Sequence, residues 1–394
     1  MIELERNATY ERLTMPEDAP ILAIQDTTAL NFSGRQVDGL GVLEDNQTPG
    51  FFAHTTLAVS QNGVPMGLLD QQVWSRAHTI KPKGDAYKKI PIEQKESYKW
   101  LLSVKNSTKT HQPRQIITIC DREGDIFELF QVARREQVNF IVRAVRNRRL
   151  EEEGLLYDEL GQVSNTTDFM LEIPRRPQEA SRSVKMMLRY TTVTLLPPKN
   201  RPKGATFMPL QPQRVQVIEA REVDVPDPKK AMRWVLVTDL SVQTDEDAYQ
   251  ILRYYSYRWL VERFHFVLKS GLNIEDSQLE SLHALHNWLG VCSSVAWRLL
   301  WLMYQGRRTP DVSCEPIFTR DEWQALSVYM TKDPRPPTKP PTLYQMIRWI
   351  GQLGGFIGRK SDGEPGVKVL WRGLIRLQDI TDTWRILQSP PTYG

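Results

Sequence analysis

Gln115 to Asp125 reads QIITICDREGD. Ile116 to Cys120 are apolar or β-branched and have polar neighbours at both ends, the pattern of a strand buried on both faces of a sheet. Asp121 follows at once. The same grammar occurs upstream, where ILAIQ, Ile21 to Gln25, runs into Asp26 and the polar pair Thr27-Thr28. Both aspartates are expected at the C-terminal ends of core strands. Between them FFAHTTLAVS, Phe51 to Ser60, alternates and turns at Gln61-Asn62-Gly63 into VPMGLLDQQVWS, a hairpin signal. A polar helix is expected from Ile92 to Val104 and another from Gly124 to Gln137, and NFIVRAV supplies a further strand. Strands first, then strand–helix–strand, make residues 1–150 the first part of a mixed α/β sheet.

Beyond this the texture changes. Residues 151–230 hold short alternating strands, DFMLEI, SVKMMLRYTTVTLL and RVQVIEAREV, separated by Pro-rich basic turns such as PPKNRPKG. They are expected to form a small β subdomain inserted into the core, because MRWVLVTDL, Met232 to Leu240, returns to core-strand character. Residues 231–306 supply the second part of the core. There Thr244-x-x-Asp247 resembles a capping box that opens a helix to Lys269, with Gly271 near its C-cap. A long helix from Leu279 to Tyr304 follows. The run PRPPTKPP, Pro334 to Pro341, is a linker, and residues 307–394 are expected to be mainly helical and a candidate dimerisation region.

Composition removes several classes of function. Apolar residues make up 40% and charged residues 25%, which excludes a disordered chain. No apolar run approaches the roughly 18 residues of a membrane helix, and the acidic start MIELERNATYERL does not read as a signal peptide. Cys120, Cys292 and Cys314 are far apart and odd in number, which argues against a disulfide scaffold or thiolate zinc site and fits a reducing cytoplasm. Net charge is only +4, yet from Ile173 to Lys230 twelve Lys and Arg face five Asp and Glu. RAVRNRR, Arg143 to Arg149, is a second basic stretch. Solvated loops explain such runs most simply; a polyanion partner is the sharper reading.

If the strands ending at Asp26 and Asp121 are neighbours, their carboxylates converge as hard oxygen ligands that suit Mg²⁺ or Mn²⁺. Each aspartate alone reads as a turn or cap residue. A third piece is YSYRWLVERFHFVLK, Tyr255 to Lys269. On a straight helix at about 100° per residue, Tyr255, Arg258, Glu262 and Lys269 share an arc of about 60°. Residue by residue this is a surface salt-bridge stripe. As a set, a carboxylate between two cations and a tyrosine fits a metal ligand beside a grip for a phosphate backbone.

The ungapped spacing Y-(2)-R-(3)-E-(6)-K, with QDTT at Asp26 and CDREGD at Asp121, resembles the YREK signature of bacterial insertion-sequence DDE transposases. This group contains the cut-and-paste transposase of the kanamycin-resistance composite transposon. The similarity runs through GFFAH around His54, FIVRA around Arg143, RWVLVTDL around Trp234 and LGGFIGRK near the C-terminus. It implies a ribonuclease-H-like mixed sheet flanked by helices, with the β insertion placed before the glutamate helix. It also implies that Asp26, Asp121 and Glu262 are catalytic and hold two Mg²⁺ ions, for which Mn²⁺ substitutes, in cleavage and strand transfer at phosphodiesters. The resemblance further implies a hairpin intermediate and DNA contacts by Arg143, Trp234, Tyr255, Arg258, Trp259 and Lys269, with Trp234 holding a flipped base. Implied partners are double-stranded DNA, as transposon ends and as target, and a second copy of the chain, in the bacterial cytoplasm and on no membrane.

Family members carry a helical end-recognition domain before the first aspartate. Only 25 residues precede Asp26 and they hold no helix-turn-helix candidate, so the chain is expected to lack that module. This sustains an expectation from another class, a truncated, non-cutting DNA-binding or dimerising regulator of a full-length transposase. A carboxylate-only glycosidase is disfavoured, because Arg258, Lys269 and the basic insertion suit phosphates better than sugars.

Overall fold

The computed structural model describes residues 2–11, 19–45, 47–76, 90–109, 115–164, 166–173, 182–199, 209–225, 231–359 and 362–388. His78, His111 and most of the PPKNRPKG turn lie outside these residues. The strands are β1 (Ile21–Asn31), β2 (Gly41–Val42), β3 (Pro49–Ser60), β4 (Pro65–Trp74), β5 (Ile116–Cys120), β6 (Asn139–Arg143), β7 (Thr167–Ile173), β8 (Arg182–Leu195), β9 (Gln213–Glu222) and β10 (Arg233–Thr238). They form one sheet in the order β2-β3-β1-β5-β6-β10-β9-β8-β7, with β4 on the other side of β3. β1, β5 and β6 run parallel, and the remaining pairs are antiparallel. The parallel step from β5 to β6 is made by the helix Phe127–Arg135, as a same-direction crossover requires.

Alternation along the strands decides what covers each face. Leu22 and Ile24 of β1, Ile117 and Ile119 of β5, Ile141 of β6 and Leu236 of β10 share one core cluster. That cluster also holds Leu260, Val261 and Phe264 from the helix Trp259–Phe266, and residues of the long helix Leu282–Arg308. Ile21, Ala23, Ile116, Cys120, Phe140 and Val142 face the opposite cluster, under Trp100, Leu101 and Phe130. A slip of one residue would exchange these faces.

Several expectations are corrected. β1 does not stop at Asp26 but continues to Asn31, because its other edge stays paired with β3 through Asn31↔Gly50. It is β5 that ends there. The strands of the insertion add to the edge of the core sheet through β10, so they prolong one sheet. A helix, Ile2–Glu11, precedes β1 and is tied to the core by Tyr10, whose hydroxyl donates to the Ser107 carbonyl at 2.6 Å. The C-terminal region is helical at Arg320–Thr331, Leu343–Leu353 and Val367–Gln388.

The basic stretches are also less free than their composition suggests. Arg148 is buried in an ion pair with Asp125, a carboxylate that also accepts the amides of Val145 and Arg146 at 2.9 Å each. Arg149 donates to the Pro197 carbonyl, and Arg189 and Arg233 both grip the buried Glu219. Arg148→Ala strands a carboxylate that is 0% exposed and is expected to cost about 3–5 kcal/mol in urea unfolding. Arg146→Ala, on an exposed side chain, should stay within about 0.5 kcal/mol.

Candidate active site

The register of two parallel strands builds the centre of the site. Ile24 of β1 lies opposite Ile119 of β5, so two residues further along each chain Asp26 and Asp121 leave the sheet at one level. Alternation sends both toward the face covered by the helix Trp259–Phe266. Asp121 caps the short turn Arg122–Gly124, accepting the Glu123 amide at 2.8 Å. Gly124 is required there, since a Cβ would come within 2.4 Å of the Cys120 Cβ. Burial raises the Asp121 pKa and the charge of Asp26 adds to the rise, while the Glu123 amide and Arg258 oppose it.

The capping box is present. Thr244 accepts the Asp247 amide at 3.2 Å, and the Asp247 carboxylate accepts the Thr244 amide at 2.9 Å. The helix Asp245–Ser256 then tightens instead of running straight to Lys269. Amides of Tyr257, Arg258, Leu260 and Val261 donate to carbonyls three residues back. The helix resumes at Trp259–Phe266 and ends in a π-turn, Val267–Gly271. These changes of winding break up the expected common arc. Tyr255 is buried, its ring edge-on to Trp234 at 5.5 Å and 70°. Burial raises the Tyr255 pKa, opposed by Arg258 and Arg143. Arg143 lies along β10, donating to the Arg233 carbonyl at 3.0 Å. Lys269 sits apart, 3.7 Å from Glu275, which also accepts the Asn31 amide. Trp259 points outward, 44% exposed.

Arg258 and Glu262 form an ion pair, with the glutamate side chain 53% exposed. Burial alone would lower the Arg258 pKa, but the hydrogen bond to Glu262 and the fields of Glu262, Tyr255 and Asp26 leave it raised. Its guanidinium thus lies within electrostatic reach of all three carboxylates. Among the described residues no three acidic, histidine or cysteine side chains assemble into one metal shell. Asp26 and Asp121 come together, and Glu262 is held by Arg258. Sequence reasoning missed His265. Its Nδ1 is 3.6 Å from the Asp26 carboxylate, and its buried Nε2 has no hydrogen-bond partner among the described residues. The available signal was its i+3 spacing from Glu262.

With this geometry in view, residues 103–297 match the family described as Transposase DDE domain. Residues 294–390 match Transposase Tn5 dimerisation domain. Residues 103–297 are therefore similar to a DDE transposase domain. The first match contains Asp121, Arg143, Trp234, Tyr255, Arg258, Trp259, Glu262 and Lys269 and begins beyond Asp26, which the register of β1 on β5 brings level with Asp121. A solved structure, the "Cryo-EM structure of piggyBac transposase synaptic complex with hairpin DNA (SNHP)", overlays with a TM-score of 0.39 and 9% identity. The overlay covers 96% of this chain, which spans 56% of the length of that one.

Because folding raises the Asp121 pKa, the folded state holds that proton more tightly than the unfolded chain does. Its contribution therefore favours the fold below the ordinary value of 3.8 and is lost as pH rises through the shifted value. Asp121→Asn keeps an acceptor for the Glu123 amide and removes the charge. In chelator it is expected to raise stability at pH 7, with the gain fading toward pH 3.8. Urea titrations of parent and variant across that range measure it.

Proposed function

We propose that this protein is a DNA transposase that cleaves phosphodiesters at the ends of an insertion sequence and joins the freed ends to target DNA. The observation that carries this reading is the pair Asp26, within β1, and Asp121, just past the end of the parallel β5, on the face where the helix bearing Glu262 packs. The donor chemistry fits hard divalent cations. Burial and the charge of Asp26 raise the Asp121 pKa, a repulsion that a cation relieves, and Glu262, released from Arg258, supplies the third ligand. Two Mg²⁺ ions, with Mn²⁺ as substitute, would activate the attacking oxygen and neutralise charge on the leaving one.

The protein's own groups do the positioning, which is most of what phosphoryl transfer asks of a protein. Arg258, freed of Glu262, meets a phosphate, as do Arg143 and Lys269. Trp234 and Tyr255 form an aromatic corner that holds an unstacked base during a hairpin step. In this reading residues 1–150 and 231–306 form the catalytic core, residues 151–230 its β insertion, and residues 307–394 join two copies on DNA in the cytoplasm. No helix among the described residues is long and apolar enough to cross a membrane. A second reading, a non-cutting regulator that binds DNA or dimerises, draws on the Arg258–Glu262 pair, which leaves the three acids unassembled.

Glu262→Gln keeps the shape and removes the charge. It is expected to abolish divalent-dependent cleavage of DNA carrying the element's ends while DNA affinity stays level or rises slightly. Arg258→Ala should weaken DNA binding and lower the salt slope by about one. Nicking assays with Mg²⁺ or Mn²⁺ beside binding isotherms at several salt concentrations test both. Cleavage that survives Glu262→Gln contradicts the proposal, and binding without cleavage by the parent supports the regulator.

A further inference from the structure

The helix that bears Glu262 has a second face, of which the resemblance assigns only Trp259 to DNA. Trp259, Arg263 and Phe266 follow i, i+4, i+7 spacing, so they line one side of Trp259–Phe266. Glu262 stands between that side and the side from which His265 approaches Asp26. Trp259 is 44% and Phe266 43% exposed, an unusual amount of aromatic surface for two turns of one helix. The Arg263 guanidinium lies over the Phe266 ring at 5.2 Å from its centroid. Tyr304 of the long helix meets Trp259 at 6.2 Å, within the fields of Arg307 and Arg263.

The charges on this strip are left over. Arg258 is taken by Glu262 and Lys269 by Glu275, whereas Arg263 and the exposed Arg307 have no acidic partner among the described residues. Cations without an acidic partner beside exposed aromatic rings match a ligand that offers phosphates and flat rings together. Duplex DNA hides its base faces in the stack. An unpaired strand presents them, and stacking on aromatic side chains is the usual way such strands are held.

We infer that Trp259, Arg263, Phe266, Tyr304 and Arg307 form a platform for an unpaired DNA strand leaving the site beside Glu262. The inference rests on the reading of Glu262 as a site residue. Bases stack on Trp259 and Phe266, and the backbone runs between Arg263 and Arg307. A second copy of the chain is a poorer occupant, because a two-fold contact through this strip would bring arginines of like charge together.

The test is binding in chelator, where nothing is cut. Fluorescence anisotropy compares a blunt duplex with the same duplex carrying an oligothymidine tail. The parent is expected to prefer the tailed probe. Trp259→Ala and Phe266→Ala should each lower the tailed-to-blunt affinity ratio about tenfold. A merely structural defect would weaken both probes and leave the ratio alone. Arg263→Gln and Arg307→Gln should each reduce the salt slope on the tailed probe by about 0.7. A parental ratio in all four variants overturns the platform, and so does a change of oligomeric state with the ratio unchanged. If the parent also nicks with Mg²⁺, only the platform falls. A parent that binds neither probe removes the DNA reading with it.

Discussion

Parallel pairing of β1 with β5 sets the height at which two carboxylates leave the sheet, and the rest of the site is arranged around that height. Ile24 and Ile119 are level, so Asp26 and Asp121 are level. The pairing in turn depends on alternation, since Leu22, Ile24, Ile117 and Ile119 must all face the helices that follow β10. The edge that β5 gives up beyond Cys120 is what makes room for two carboxylates in the middle of a buried sheet. β1 can pass through that gap as a strand because β3 still satisfies its other side.

Two like charges at a sheet edge are costly, and the protein answers with a cation of its own. Arg258 sits on the tightened turn between two helical segments, where its field reaches Asp26 and Asp121 while its hydrogen bonds go to Glu262. The arrangement stabilises the acids without bringing all three to one point. Under the proposed function, assembly of the site would be an exchange of partners, in which Glu262 leaves Arg258 for the aspartates and Arg258 becomes available to a phosphate.

The strands were legible because their signal is local: an unbroken apolar run for β5, alternation for β8 and β9, and Asn-Gly for the β3–β4 hairpin. The Thr244–Asp247 box was legible for the same reason. What the residues did not disclose depends on partners distant in sequence. No proline or glycine marks the tightening at Tyr257 and Arg258, so a straight helix placed Tyr255 and Lys269 on one arc that the structure divides. Arg148 reads as one of four exposed arginines until Asp125 is seen to bury it. β1 seemed to end at Asp26 because its polar residues face a gap left by β5, which no stretch of β1 can reveal. His265 was passed over because its partner, Asp26, is far away along the chain.

The central claim is that Asp26, Asp121 and Glu262 together hold divalent cations on one face of the sheet. Anomalous scattering from a crystal grown with Mn²⁺ tests it most directly. The account predicts density between the Asp26 and Asp121 carboxylates, with Glu262 turned toward it and its contact to Arg258 broken. Manganese bound elsewhere, or an empty centre with Glu262 still on Arg258 at saturating Mn²⁺, would contradict it.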